Sequence, residues 1–149
     1  KIDLPSETQW EYACRAVQPH PTTKKGAGRD GMKFWFGDSD SELQNHAWYN
    51  DNSGSQTHSV KEAEATHTNP WGLVDMHGNV WEWCGDEWTD VTQLPKDGTT
   101  YNRDNKNRSR SALRGGAWCD FSNDCASGYR DLNLARNYYN DYGFRVVCV

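Results

Sequence analysis

The sequence predicts an α+β domain that is loop-rich, with few helices and short strands. Its 149 residues are one domain's worth of chain, residues 1–149. Hydrophobic residues make up 35%, and the shortfall is in aliphatics, because aromatics reach 13% and eight residues are Trp. One helix signal opens the chain and two strand candidates close it, with turn-forming residues between. A disordered chain would lack aromatics. No run approaches the ~18 apolar residues of a membrane helix, so direct membrane insertion is not expected. The chain opens on a folded motif rather than a signal peptide. A net charge of −5 argues against a nucleic-acid backbone as the main partner.

Leu4-Pro5-Ser6-Glu7-Thr8-Gln9 precedes Trp10, Ala13 and Val17. Ser6 with Gln9 three residues on is a capping box, in which each side chain satisfies the other's free amide. A helix over about 7–17 follows, anchored to the core by Trp10 on one face. Residues 18–70 are punctuated by Gly, Pro, Asn, Ser and Asp, with aromatic islands at Phe34-Trp35-Phe36 and Trp48-Tyr49. Loops of that length need aromatic plugs or a bound cation. Residues 71–88 hold Trp71, Trp81, Trp83 and Trp88, and a polar loop runs from about 89 to 109. Trp81 and Trp83 alternate as core plugs of a short strand, with His77 in a turn before them. The strand candidates are Ala112-Leu113-Arg114 and Phe144-Arg145-Val146-Val147-Cys148-Val149. Cys14, Cys84, Cys119, Cys125 and Cys148 form no CxxC pair, which argues against structural zinc and leaves at least one free thiol.

Three blocks together carry a family resemblance: Leu4 to Ala13 (LPSETQWEYA), Asn69 to Cys84 (NPWGLVDMHGNVWEWC), and Leu113 to Trp118 (LRGGAW) with Gly143 to Val146 (GFRV). In order and spacing they resemble the formylglycine-generating enzyme (sulfatase-modifying factor) family. The resemblance implies that family's variant of the C-type lectin fold, with short antiparallel strands. It covers the C-terminal part of the family's domain, and the portion that precedes the "LPSE" helix there is absent from this chain.

Asp75 and Glu82 flank a Gly-containing turn, a spacing that lets a loop wrap a hard cation with carboxylates at its ends and carbonyls between. In the resembled enzymes this segment holds structural calcium. Carried over, its ligands are the side chains of Asp75 and Glu82 and the carbonyls of Gly78 and Val80; the competing reading has both carboxylates capping turns and pairing with arginines. The resembled oxidases also bind copper through two cysteines after the "RGGS" block. Here Cys125 takes the second position, Asp120 takes the first, and Cys119 sits one residue early, on the opposite side of an extended segment. The pair is incomplete, so no catalytic cofactor and no catalytic residue are expected, and a copper-dependent oxidase is the alternative. The "EPN", "QPD" and "WND" signatures of sugar-binding lectins are missing, since Trp48-Tyr49-Asn50-Asp51 has a Tyr inserted.

Residues 119–142 have an unusual composition. Half of these 24 residues are Asn, Asp or Tyr. Lys, Glu, Gln, Met and Trp are absent, although their 29 occurrences elsewhere would scale to about six here. An Asn codon altered only at its adenines reaches Asp, Tyr, Ser, Gly, Cys, Phe, Leu and Arg but none of the missing five. The stretch resembles the variable region of a diversity-generating retroelement's target protein, many of which belong to this lectin-like family. That resemblance implies a hypervariable, exposed binding face made of Asp120, Phe121, Asn123, Asp124, Tyr129, Asp131, Asn133, Tyr138, Tyr139, Asp141 and Tyr142. Tyr offers large contact area at low entropic cost and Asn, Asp and Ser offer adaptable hydrogen bonds, so the expected partner is macromolecular, a protein or cell-surface ligand. Arg130, Arg145 and Trp118 are expected to hold the scaffold beneath. A third reading is a structural module of a larger protein.

Overall fold

Ser6 opens the first helix, α1 (Glu7–Arg15). Its Oγ accepts from the Gln9 amide at 3.2 Å while Gln9 Oε1 accepts from the Ser6 amide at 2.9 Å, so the capping box forms as predicted. The helix ends before Val17 because Ala16 turns left-handed, at φ 46°, and its amide closes on the Tyr12 carbonyl at 3.1 Å. Its core face is Glu7, Trp10 and Cys14 rather than Trp10, Ala13 and Val17. The computed structural model describes residues 1–18, 28, 30–102 and 110–148. Residues 19–27 and 29 of the expected long loop, 103–109 of the expected polar loop and Val149 of the second strand candidate lie outside the described residues.

The central sheet has four strands in the order β4-β3-β2-β5: β2 (Trp81–Glu87), β3 (Ser111–Arg114), β4 (Asp131–Asn133) and β5 (Tyr142–Gly143). The pairs β2–β3 and β3–β4 are antiparallel, and β5 runs parallel to β2 through Trp81 and Tyr142. A separate ladder joins β1 (Ile2–Asp3) to β6 (Val147–Cys148). The predicted strand over 144–149 is therefore divided: β5 ends at Gly143, Arg145 reaches back to Glu82, and pairing resumes at Val147. The described part of 18–70 carries two single-turn helices, α2 (Asp40–Leu43) and α3 (Val60–Ala63), and a 3₁₀ turn spans Val91–Gln93. Among the described residues no helix is long and apolar enough to cross a membrane.

Strand alternation sorts the sheet's side chains onto two faces. On one, Glu82, Cys84, Ala112 and Arg114 meet α1: Trp10, Cys14, Met76, Cys84 and Ala112 form one core cluster, Trp10 Nε1 donates to Glu82 at 2.6 Å, and Arg114 pairs with Glu11. On the other, Trp81, Leu113 and Ala117 pack with the half-buried Trp83 and Tyr142. A third cluster, Phe34, Leu43, Ala47, Tyr49 and Cys125, plugs the long loop against the C-terminal segment, which is the aromatic support such a loop requires.

Candidate binding face and its scaffold

After β3 the chain reverses at Gly115 and Gly116, both with positive φ. A Cβ at Gly116 would lie 2.7 Å from Cys125 Sγ and 3.0 Å from the Asp124 carbonyl, so only glycine fits there. Two turns of the same design follow. Asp120 N donates to the Ala117 carbonyl (3.1 Å) while Asp120 Oδ2 accepts from Ala117 N (2.9 Å). Asp124 N donates to the Phe121 carbonyl (3.0 Å) while Asp124 Oδ2 accepts from Phe121 N (3.2 Å). Cys119 thus sits in a turn, not the extended segment expected from side-chain alternation. Asp120 and Asp124 each spend one oxygen on the main chain, a local role the composition did not reveal.

The eleven candidate residues lie along this segment and over the second face of the sheet. Phe121, Asn123, Tyr129, Tyr138 and Tyr139 are exposed, Tyr138 at 90%, and the other six are half-buried. Asp131 stands opposite Leu113 and Asn133 opposite Ser111, so both share the Trp81–Trp83 face. The segment contains one strand of the central sheet, β4. Asn133 Nδ2 donates to the Tyr142 hydroxyl (2.7 Å) and Asn133 Oδ1 accepts from Leu134 N (2.8 Å). Tyr139, Tyr142 and Trp83 form a ladder of edge-on rings with centroids 5.0 and 5.5 Å apart, and Tyr129 lies 6.0 Å from Trp81. Burial first, then the charges of Asp124 and Asp141, pushes the Asp120 carboxyl up, against the opposing pull of the Ala117 amide.

Beside the ladder is a cavity of about 380 Å³ lined by Leu4, Trp83, Cys84, Gly85, Ser111, Ala135 and Phe144. Sequence reasoning placed Trp83 in the core and Phe144 in a strand; Trp83 is half-buried, packed on the Trp81–Leu113 cluster while also lining this cavity, and Phe144 is 68% exposed at its rim. The interruption of the ladder at 144–146 exposes Phe144, and no local pattern announces it.

The scaffold beneath is held by ion pairs. Arg130 Nε and Nη2 donate to Glu7 at 2.6 and 2.7 Å, and its guanidinium stacks on Trp88 at 4.3 Å. Arg145 Nε and Nη2 donate to Glu82 at 2.5 and 2.6 Å. The Trp118 amide donates to the Asn79 carbonyl and its own carbonyl accepts from Ser53 Oγ. His77, expected as an ordinary turn residue, is fully buried. Its Nδ1 donates to the Cys125 carbonyl at 2.8 Å, its Nε2 faces the Trp35 amide at 3.4 Å, and burial lowers its pKa to about 4.

Asp75, Gly78, Val80 and Glu82 do line one cavity, of about 330 Å³, together with Arg145. As folded they do not fit calcium. Both Glu82 oxygens are taken by Arg145 and one also by Trp10, while Asp75 accepts from His67 Nδ1 (3.0 Å) and Asn79 Nδ2 (3.1 Å). The Gly78 carbonyl accepts from Val80 N at 2.9 Å. The positive charge beside Glu82 comes from the Arg145 guanidinium, the arginine pairing that the sequence offered as the competing reading.

Cys125 is buried among apolar side chains, which pushes its thiol up, and Asp120 and Asp124 add to the effect. Cys119 is exposed, its thiol raised to about 11 by burial and by Asp120 and Asp141. Thiolates are the soft ligands copper(I) takes, and these surroundings disfavour them.

Residues 1–149 match the model of the sulfatase-modifying factor enzyme 1-like domain. The chain is 28% identical to the formylglycine-generating enzyme of Mus musculus over 153 residues, covering 95% of this chain and 38% of that protein. Among solved structures, Treponema denticola variable protein 1 superposes with a TM-score of 0.74 at 32% identity, over 97% of this chain and 46% of that one. PvdO from Pseudomonas aeruginosa does so with 0.70 at 26%, over 97% and 51%. The chain therefore spans about half or less of the proteins it matches. The fold is the formylglycine-generating-enzyme variant of the C-type lectin fold, as the three sequence blocks implied. A match along its whole length makes this chain a member of the sulfatase-modifying factor enzyme 1-like domain family.

Proposed function

We propose that this domain is a ligand-binding module rather than an oxidase, with residues 119–142 forming a retroelement-diversified face for a macromolecular partner. The observation that carries the reading is how the segment is divided between scaffold and surface. Cys125, Ser127 and Arg130 serve the scaffold, while none of the eleven Asp, Asn, Tyr and Phe candidates is buried. The likeness to Treponema denticola variable protein 1 supports the same reading. So does the chemistry of the face, with large rigid aromatics beside small polar groups, as in antibody combining sites. The oxidase alternative needs a second thiolate where this chain has Asp120, and that carboxylate closes a turn.

The test is the DNA beside the gene. The expected finding is a near-copy of the codons for residues 112–149, differing where the copy has adenine, next to a reverse transcriptase. Absence of both would return the stretch to an ordinary loop.

A further inference from the structure

If residues 119–142 are the binding face, as proposed above, the chemistry of that face selects its partner. Asp120, Asp124, Asp131 and Asp141 all lie in this segment: Asp120 and Asp124 close its two turns, Asp141 accepts from Cys119, and Asp131 stands opposite Leu113 on the Trp81–Trp83 face. Burial and then the charges of Asp124 and Asp141 push the Asp120 carboxyl up, those of Asp141 and Asp131 add to burial in raising the Tyr142 hydroxyl, and Asp124 raises the Tyr129 hydroxyl. Among the described residues none of these four carboxylates meets a Lys, Arg or His within 4.0 Å. Of the nearby cations, Arg130 is committed to Glu7 and Lys33, which touches Asn123, to Asp40; Arg136, exposed within the segment, forms no ion pair among the described residues, so four carboxylates stand against one uncommitted guanidinium. The face also exposes large rings, with Phe121 at 67% and Tyr139 at 54%. A neutral apolar partner would bury these carboxylates unpaired, which is costly, and an acidic one would be repelled. A guanidinium or ammonium on an aliphatic stem answers both features, because it pairs with carboxylate and stacks on aromatic rings.

We propose that the partner of this face is a protein segment presenting arginine or lysine, whose cations meet the four carboxylates while Tyr129, Tyr139 and Tyr142 pack along its side chains. Panning a random dodecapeptide display library against the full chain tests this. Enriched peptides should be net cationic, bind about tenfold more weakly to the D131N/D141N variant, and weaken steadily as salt rises. Circular dichroism and the urea midpoint of that variant should match the parent, since these side chains touch no scaffold ion pair. Neutral or acidic peptides that lose binding in Y138S/Y139S would overturn the cationic partner and leave the binding face standing. Cationic peptides indifferent to both variants would overturn both, and so would a failure to enrich anything over the bare support.

Discussion

On the α1 side of the central sheet, charged side chains meet counter-charges from the same chain: Glu7 with Arg130, Glu11 with Arg114, Glu82 with Arg145. On the other side, Asp131 and Asp141 meet none among the described residues, and tyrosines stand into solvent. Both sides are polar, yet only the first is closed. A buried ion pair gains little over apolar packing, but removing one partner strands the other at a large cost. Stability is thereby concentrated where change is expensive, and freedom to vary is left where change is cheap.

The difference breaks most visibly at Glu7, which is fully buried and holds Arg130 while lying 3.7 Å from Arg114. Glu7→Ala should cost about 3–5 kcal/mol in urea unfolding, the typical cost of an uncompensated buried charge. Smaller, and set by pH, is the effect of His77. The unfolded imidazole titrates near 6.5 and the folded one near 4, so between these values only the unfolded chain takes the proton. Stability should therefore fall as pH drops through that window, by about 3 kcal/mol at pH 4. His58 moves the other way: the Ser53 carbonyl, first, and Glu62 raise its pKa, so its contribution is complete below pH 6.5 and lost as pH rises above it. A His77→Asn chain, less stable throughout, should show a shallower slope between pH 6.5 and 4.

On the open side the expected effect shrinks. Tyr138→Ser should change unfolding free energy by no more than about 0.5 kcal/mol, since its ring is 90% exposed. A loss above 2 kcal/mol would make the face structural and erase the contrast. The smallest change concerns the Glu82 cavity. With Arg145 in the cation's place, EDTA or added calcium should move the melting temperature by less than about 1 °C, because a ligand that does not bind the native state does not stabilise it.

What was legible in the sequence was local. The Ser6–Gln9 box and the alternating Trp81 and Trp83 each fix nearby backbone, and each appears where its pattern lies. What was not legible acts across the chain. Glu7 faces the core because Arg130, 123 positions away, meets it there, and both Glu82 oxygens are paired because Arg145, 63 positions away, reaches them. Apolar periodicity cannot see a carboxylate whose partner lies elsewhere in the chain. The burial of His77 was hidden for the same reason, as its hydrogen bonds go to Trp35 and Cys125. For the candidate face, composition marked the segment but not the cavity beside Trp83, whose rim residue Phe144 is exposed only where the final strand is interrupted.

The Glu7–Arg130 pair ties the first helix to a position inside the stretch proposed to be rewritten. Under that reading the constraint passes from protein to gene. Arginine, cysteine and serine can each be spelled without adenine, whereas aspartate, asparagine and tyrosine cannot. Both cysteine codons lack adenine, so Cys125 is shielded in any spelling. A template that writes Arg130 and Ser127 in adenine-free codons would shield the rest of the scaffold from its own mutagen, and the choice of synonym there becomes a trait under selection.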